Sequence, residues 1–195
     1  MFYMRLIRKH GVLLLFVSAI IIVALAFLLY KKRDSCSMIA KLHYHQLPNK
    51  EKADITRAFV DRAVSEAEAF SGPNKELFDR LTEERSHDGG YLIAYQQSGE
   101  DKGTLLLHGV PTKTFCDAEH PLCNDSGQSE VGKNLYNFET VDGIKEVQLW
   151  IEIANNGGGW AATYWKDPKG YMKPKYYNIR PVEGKNFFIA SGYFS

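Results

Sequence analysis

The sequence lacks the short motifs that mark the commonest kinds of enzyme active site. It contains no G-x-S-x-G, H-E-x-x-H, P-loop or Rossmann pattern to hold a nucleophile, a metal ion or a phosphate group. It also has no Gly- or Ser-rich tract, coiled-coil heptad run or internal repeat, which excludes a disordered linker or a solenoid. We therefore expect a chain that is not an enzyme, needs no cofactor and folds around a single core.

Acidic residues are absent from the first 33 positions, where six Lys and Arg residues lie. The remainder of the chain carries 18 Lys and Arg against 23 Asp and Glu, so the overall charge of +1 hides a net charge of −5 there. A mildly acidic domain does not suit the phosphate backbone of nucleic acids. We expect no nucleic-acid partner.

Charged residues are also missing from residues 11–30, an apolar run long enough to cross a hydrocarbon core of about 30 Å as a helix. Basic residues flank the run on both sides, so they do not decide its orientation. Cleavage of a signal peptide after residues 24–26 is the alternative, but apolar residues continue to position 30. We therefore predict an uncleaved membrane anchor at residues 1–33, followed by one domain at residues 34–195.

Cysteine is scarce, and two of the three cysteines bracket a short polar loop. A disulfide between Cys116 and Cys123 would suit a compartment outside the reducing cytosol. Cys36 is left over as a free thiol or as a link between two chains, which would make a homodimer. A zinc site at Cys116, His120 and Cys123, with His108 nearby, is the other interpretation, but it lacks the paired short spacings of zinc modules. We predict the disulfide and no metal.

The periodicity of the remaining residues indicates an α+β domain. Beyond the anchor, residues 34–46 have no helix breaker and are expected to continue the helix out of the membrane. Asn49 is a candidate cap for the next helix, and residues 157–159, three glycines, suit the end of a later one. Apolar residues three and four positions apart predict helices at residues 50–71, 74–85 and 142–156. Alternating side chains, with many β-branched and aromatic residues, predict strands at residues 91–97, 104–109, 159–166, 173–182 and 187–195. These elements predict a five-stranded antiparallel sheet with helices packed on it.

Several short segments occur in a characteristic order between positions 39 and 195. They are GYLIAY at 90–95, GKNL at 132–135, Asp142 with Gly143, GGGW at 157–160, Pro174 with Lys175 and Tyr177, Gly184, and IASGY at 189–193. In this order and spacing the sequence resembles the single Cache domain family, type 2. Its members are extracytoplasmic sensor domains of bacterial chemoreceptors and histidine kinases.

The resemblance implies a PAS-like fold and a pocket on one face of the sheet for acetate, propionate, pyruvate, lactate or similar molecules. It implies a single-pass protein of the bacterial inner membrane whose C-terminal domain lies in the periplasm or outside the cell. No HAMP, kinase or methyl-accepting segment follows the last strand, so we expect signalling through a separate kinase or chemoreceptor. The family's short His-Pro segment corresponds here to residues 108–111, followed by the cysteine-bracketed insertion.

A small carboxylate needs a cation and hydrogen-bond donors in a partly apolar hollow. Strand alternation places Lys175 and Tyr177 on one face, and we predict Lys175 as the partner of the ligand's anion. Tyr177, Tyr164 and Tyr95 are the predicted phenolic donors, with His108 at the rim. In the alternative interpretation Lys175 is a solvated strand residue and the tyrosines fill a core. The chain would then be a membrane-anchored interaction or structural protein whose Cache scaffold has no functional pocket.

Overall fold

A computed structural model describes residues 41–109, 130–167 and 169–195 of the chain. The predicted anchor, Cys36, and the predicted disulfide partners Cys116 and Cys123 lie outside the described residues. Within the described ranges no helix is long and apolar enough to cross a membrane. The described residues form one compact unit.

The described residues contain three α-helices, one 3-10 turn and six strands. They confirm the helices predicted at residues 50–71, 74–85 and 142–156 and all five predicted strands. Helix α1 is capped as predicted, because the Asn49 side chain accepts a hydrogen bond from the Lys52 amide. The helices are α1 (Lys50–Ala69), α2 (Asn74–Glu83) and α3 (Glu146–Asn155). The strands are β1 (Lys41–Leu42), β2 (Ile93–Gln96), β3 (Leu105–His108), β4 (Gly159–Lys166), β5 (Met172–Pro181) and β6 (Phe187–Phe194).

The glycine triplet ends α3 as predicted. Gly157 and Gly158 have φ angles of 88° and 95°, and their amides donate to the last carbonyls of the helix. Only glycine adopts such angles without strain. The chain can therefore turn at once from α3 into β4.

The strands form one antiparallel sheet in the order β1-β4-β5-β6-β2-β3. The five long strands confirm the predicted PAS-like arrangement. The predicted helical continuation through residues 34–46 is wrong in its described part. Lys41 and Leu42 pair instead with Ala161 and Trp160 on β4, and residues 44–46 form a 3-10 turn. Pairing with β4 satisfies the hydrogen-bonding groups of the backbone as well as a helix does. Such pairing with a distant strand cannot be predicted from the local sequence.

Both faces of the sheet are covered by helices. On one face α1 and α2 pack over Ala94, Leu107 and Ile189. On the other face α3 places Val147, Trp150 and Ile151 over the sheet. Side chains alternate between faces along each strand, so alternate residues of β4, β5 and β6 point toward α3. The candidate site lies on this α3 face.

Candidate ligand-binding site

Strand register brings three separate segments together on the α3 face of the sheet. Lys175 on β5 lies directly opposite Thr163 on β4 and Phe194 on β6. Residues that are opposite one another in neighbouring strands have Cβ atoms about 5 Å apart and share a face. Tyr177, two residues along β5, lies on the same face as Lys175.

Lys175 is a buried cation, with only 7% of its surface exposed. Its Nζ donates a hydrogen bond to the Tyr91 hydroxyl at 3.2 Å. It also lies 4.7, 5.1 and 5.3 Å from the ring centres of Tyr91, Tyr177 and Phe194. Among the described residues no carboxylate lies within salt-bridge distance of Lys175. The ammonium group therefore has an aromatic cage and no anion in the described part of the chain.

Tyr91 is held in place through its backbone, because its carbonyl accepts a hydrogen bond of 2.8 Å from the Ser191 hydroxyl on β6. Its ring packs against the His108 imidazole at 4.9 Å. Burial and then the charge of Lys175 lower the pKa of His108 to about 4. The imidazole is thus neutral at pH 7, and its buried Nδ1 has no hydrogen-bond partner among the described residues. The structure places His108 beside the Lys175 cage.

Tyr177 and Tyr95 share the α3 face with Lys175, but they also pack in the core. The Trp150 ring lies 4.5 Å from the Tyr177 ring and 5.8 Å from the Tyr95 ring. Burial, followed by the negative charge of Glu146, raises the pKa of both phenols. Both therefore remain protonated donors at neutral pH, and the Tyr177 ring forms one wall of the cage.

Tyr164 does not join the other predicted site residues. It alternates with Thr163 on β4 and so lies on the opposite face, near Tyr176, where 43% of its surface is exposed. The prediction that grouped Tyr164 with Lys175 was wrong. Alternation shows which residues of one strand share a face, but it does not show which faces of two different strands lie on the same side of the sheet.

Glu146, which the sequence reasoning missed, lies at the start of α3 on the same face. Its side chain is buried, and its Oε1 accepts hydrogen bonds from the Thr163 hydroxyl and from Trp165 Nε1, the latter at 3.0 Å. Burial raises the pKa of the Glu146 carboxyl, while these two donors and the charge of Lys175 act in the opposite direction. Glu146 is thus a buried acid close to a buried cation.

One signal for this acid lies in β4, where strand alternation puts the polar atoms of Thr163 and Trp165 on the same face. The Trp165 ring stacks on Phe138 at 5.9 Å, and its indole N–H also needs an acceptor. An acidic residue in the first turn of a helix is commonly explained by its favourable interaction with the helix dipole. Glu146 therefore did not stand out as a candidate site residue. Among the described residues no cluster of His, Cys, Asp or Glu could hold a metal ion.

No family model matches the sequence, and no curated protein matches it. Solved structures do share its fold. A methyl-accepting chemotaxis protein from Vibrio parahaemolyticus superposes with a TM-score of 0.56 at 19% identity, over 74% of this chain and 88% of that chain.

Two further solved structures are similar. The periplasmic sensor domain of a chemotaxis protein has a TM-score of 0.58 at 14% identity, covering 76% of this chain and 98% of its own. A Cache chemosensory domain that recognises carboxylic acids has a TM-score of 0.56 at 13% identity, covering 74% and 94%. The described part of this chain therefore has the fold of the Cache sensor domains of chemotaxis proteins.

Proposed function

We propose that this chain is an extracytoplasmic sensor module that binds a small organic carboxylate on the α3 face of its sheet. The observation that carries the proposal is Lys175, a buried ammonium group without a carboxylate partner in the described residues. The likeness to a Cache domain that recognises carboxylic acids supports it. The ligand would bind without chemical conversion.

The energetics of Lys175 favour an anionic ligand. Removing an ammonium group from water costs several kcal/mol even after the protein relaxes around it. Each cation–π contact returns about 0.5 to 2 kcal/mol or somewhat more when buried, and only one neutral acceptor supplements the three rings. The Tyr91 hydroxyl supplies one neutral acceptor, and a lysine ammonium has three donors. A ligand carboxylate would add charge-assisted hydrogen bonds worth about 1.5–3 kcal/mol each.

The three aromatic rings around Lys175 also support a second candidate, an interaction protein whose scaffold has no functional pocket. In this alternative Tyr91, Tyr177 and Phe194 fill the space a ligand would use, and the cation–π contacts alone hold the ammonium. The two candidates differ in one measurable property. Only the sensor gains stability from a small acid.

Thermal unfolding of the full chain, followed by tryptophan fluorescence, tests this property. A ligand that binds only the folded state raises the unfolding temperature by mass action. We expect a member of a panel of acetate, propionate, pyruvate and lactate to do so in the wild type and in Lys166→Met. Lys166 is an exposed lysine on β4 and serves as the matched control.

In Lys175→Met, the carboxylate identified in this screen should bind about ten- to a hundredfold more weakly by calorimetric titration, since one charge-assisted hydrogen bond is lost. Methionine retains the apolar stem within the aromatic cage, so the variant should fold. Unchanged affinity in a folded Lys175→Met protein would refute the role of Lys175. A panel in which no acid alters the unfolding temperature would favour the interaction protein.

We further propose that occupancy of the site is signalled to a separate kinase or chemoreceptor, with the domain outside the cytoplasm. The solved structures of similar fold include a periplasmic sensor domain, which supports this location. Residues 11–30 would anchor the chain in the inner membrane.

A further inference from the structure

The hairpin that joins β4 to β5 concentrates exposed apolar side chains at its turn. Six large apolar side chains are exposed in the described residues, and half of them lie on this hairpin. They are Tyr164, Tyr171 and Met172, with 43%, 65% and 41% of their surfaces exposed. We call residues 164–167 and 169–173 the hairpin tip. Clustered exposed apolar side chains mark a surface that contacts a partner or a membrane.

Lysine side chains accompany these apolar groups. The only acid of the hairpin tip, Asp167, forms a salt bridge of 2.9 Å with Lys173. Lys166 and Lys169 are exposed and form no salt bridge with the described residues. Tyrosine is enriched where membrane meets water, and lysine is attracted to anionic headgroups. The tip therefore has the side chains of a surface that contacts anionic lipid.

The direction of β1 shows that the hairpin tip lies at the end of the domain from which the chain enters the sheet. Lys41 pairs with Ala161 and Leu42 with Trp160, so the N-terminal end of β1 points along β4 toward the tip. Beyond this pairing, β4 extends about 17 Å further in the same direction. Ten residues, 31–40, connect the apolar run to β1 and can span at most about 40 Å. A tether of this length keeps the tip within reach of lipid headgroups.

The opposite end of the sheet has a different chemistry. The β2–β3 and β5–β6 turns lie there, since Gln96 at the end of β2 pairs with Phe187 at the start of β6. Neither turn carries an exposed large apolar side chain. Acids outnumber bases among their exposed side chains, which include Glu100, Asp101, Lys102 and Glu183. Of the two ends, only the hairpin tip combines apolar groups with positive charge.

We infer that the hairpin tip rests on the surface of a membrane that contains anionic lipids. Tyr171 and Met172 enter the headgroup region, and Lys166 and Lys169 lie against the lipid phosphates. This inference goes beyond the proposed sensing function and rests only on its membrane anchor at residues 11–30. The lipid contact would hold the β4–β5 hairpin, which carries part of the candidate site, at a fixed orientation to the bilayer.

Brominated lipids test this contact in the full chain reconstituted in nanodiscs. Bromine on the acyl chains quenches only those indole groups that lie close to the lipid. Tyr171→Trp places an indole at the hairpin tip, and Lys102→Trp places one at an exposed position of the opposite end. In discs that contain phosphatidylglycerol, Tyr171→Trp should lose a larger share of its fluorescence than the wild type does. Lys102→Trp should show no such excess.

Charge variants in the Tyr171→Trp background test the contact with the headgroups. Each lysine near an anionic surface changes the ratio of bound to free tip about fivefold. Lys166→Gln combined with Lys169→Gln should therefore lower this ratio about twentyfold and remove most of the excess quenching. Discs of phosphatidylcholine alone should have the same effect. Lys75→Gln combined with Lys102→Gln removes two exposed lysines elsewhere and should leave the quenching unchanged.

The outcomes separate this inference from the proposed function. Equal quenching of Tyr171→Trp and Lys102→Trp overturns the lipid contact, as does quenching that the loss of Lys166 and Lys169 leaves unchanged. Fluorescence of Tyr171→Trp that shifts to the blue only in discs with two copies, without quenching by bromine, would show a contact between copies instead. A chain that does not enter the discs overturns the anchor and this inference together. Carboxylate binding is measured by its own titration and stands or falls independently.

Discussion

Gly192 lies beneath the aromatic wall of the candidate site, and its replacement tests how tightly that wall is packed. It lies opposite Tyr177 in the β5–β6 register. A Cβ atom at Gly192 would lie 2.6 Å from Tyr177 Cδ1 and 2.9 Å from the Tyr176 carbonyl oxygen. Real Cβ atoms do not approach that closely, and the Tyr177 ring is already packed at 4.5 Å against Trp150. Either the ring or the strand must move in Gly192→Ala.

Overpacking of this kind costs about 1–3 kcal/mol in the free energy of unfolding. For a domain of this size, that corresponds to a fall of about 2–12 °C in the unfolding midpoint. Because Lys175 Nζ lies 5.1 Å from the Tyr177 ring, the movement should also weaken ligand binding. Urea unfolding and calorimetric titration of the full chain measure the two effects separately.

Gly184→Ala is the matched control for this substitution. Gly184 has a φ angle of 72° and open space around its missing Cβ, so alanine there adds backbone strain without a clash. It should lower stability and leave ligand affinity unchanged. Our account of the wall is refuted if Gly192→Ala unfolds at the wild-type urea concentration. It is also refuted if Gly184→Ala weakens binding as much as Gly192→Ala does.

Three other predictions concern pH, redox chemistry and location. Because burial and Lys175 lower the pKa of folded His108 to about 4 from about 6.5, the unfolded chain binds the proton first. Stability should fall by on the order of 3 kcal/mol as the pH drops from about 6.5 to about 4, a fall that His108→Leu should lack in pH-resolved urea unfolding. A Cys116–Cys123 disulfide should contribute about 2–3 kcal/mol, and alkylation of both thiols in unreduced periplasmic protein would disprove it. An alkaline phosphatase fused after Ser195 should be active, whereas fluorescence of a cytoplasmic reporter at that position would contradict an extracytoplasmic domain.

Most helices and strands could be predicted from the sequence, because the patterns that indicate them lie within short segments of the chain. The spacing of Ile55, Phe59, Ala63, Ala67 and Phe70 predicts an apolar stripe along residues 50–71. Phe59, Ala63 and Ala67 are buried, and Ile55 and Phe70 are half-buried. Turn and cap residues such as Asn49 and Gly157 predicted where the helices begin and end, because few residues adopt their backbone angles. The strand β1 was missed because two residues carry no periodic pattern and gain their stability from pairing with β4.

Within a single strand, the sequence also determined part of the candidate site. Alternation alone placed Lys175 and Tyr177 on one face, and the structure brings both to the aromatic cage. What alternation cannot supply is the relation between strands. A shift of one residue in register moves every side chain to the other face, and register is set by long-range pairing.

The tertiary structure therefore decided which neighbours Lys175 has. Pairing of β4 with β5 placed Thr163 beside Lys175 and sent Tyr164 to the opposite face. Packing of α3 on the sheet brought Glu146, 29 positions away in the sequence, into the same buried region. The sequence by itself determined that a lysine and several phenols would line this sheet. Burial of that lysine close to an acid, with neither neutralising the other by direct contact, was decided by strand register and helix packing, because both depend on contacts between distant segments.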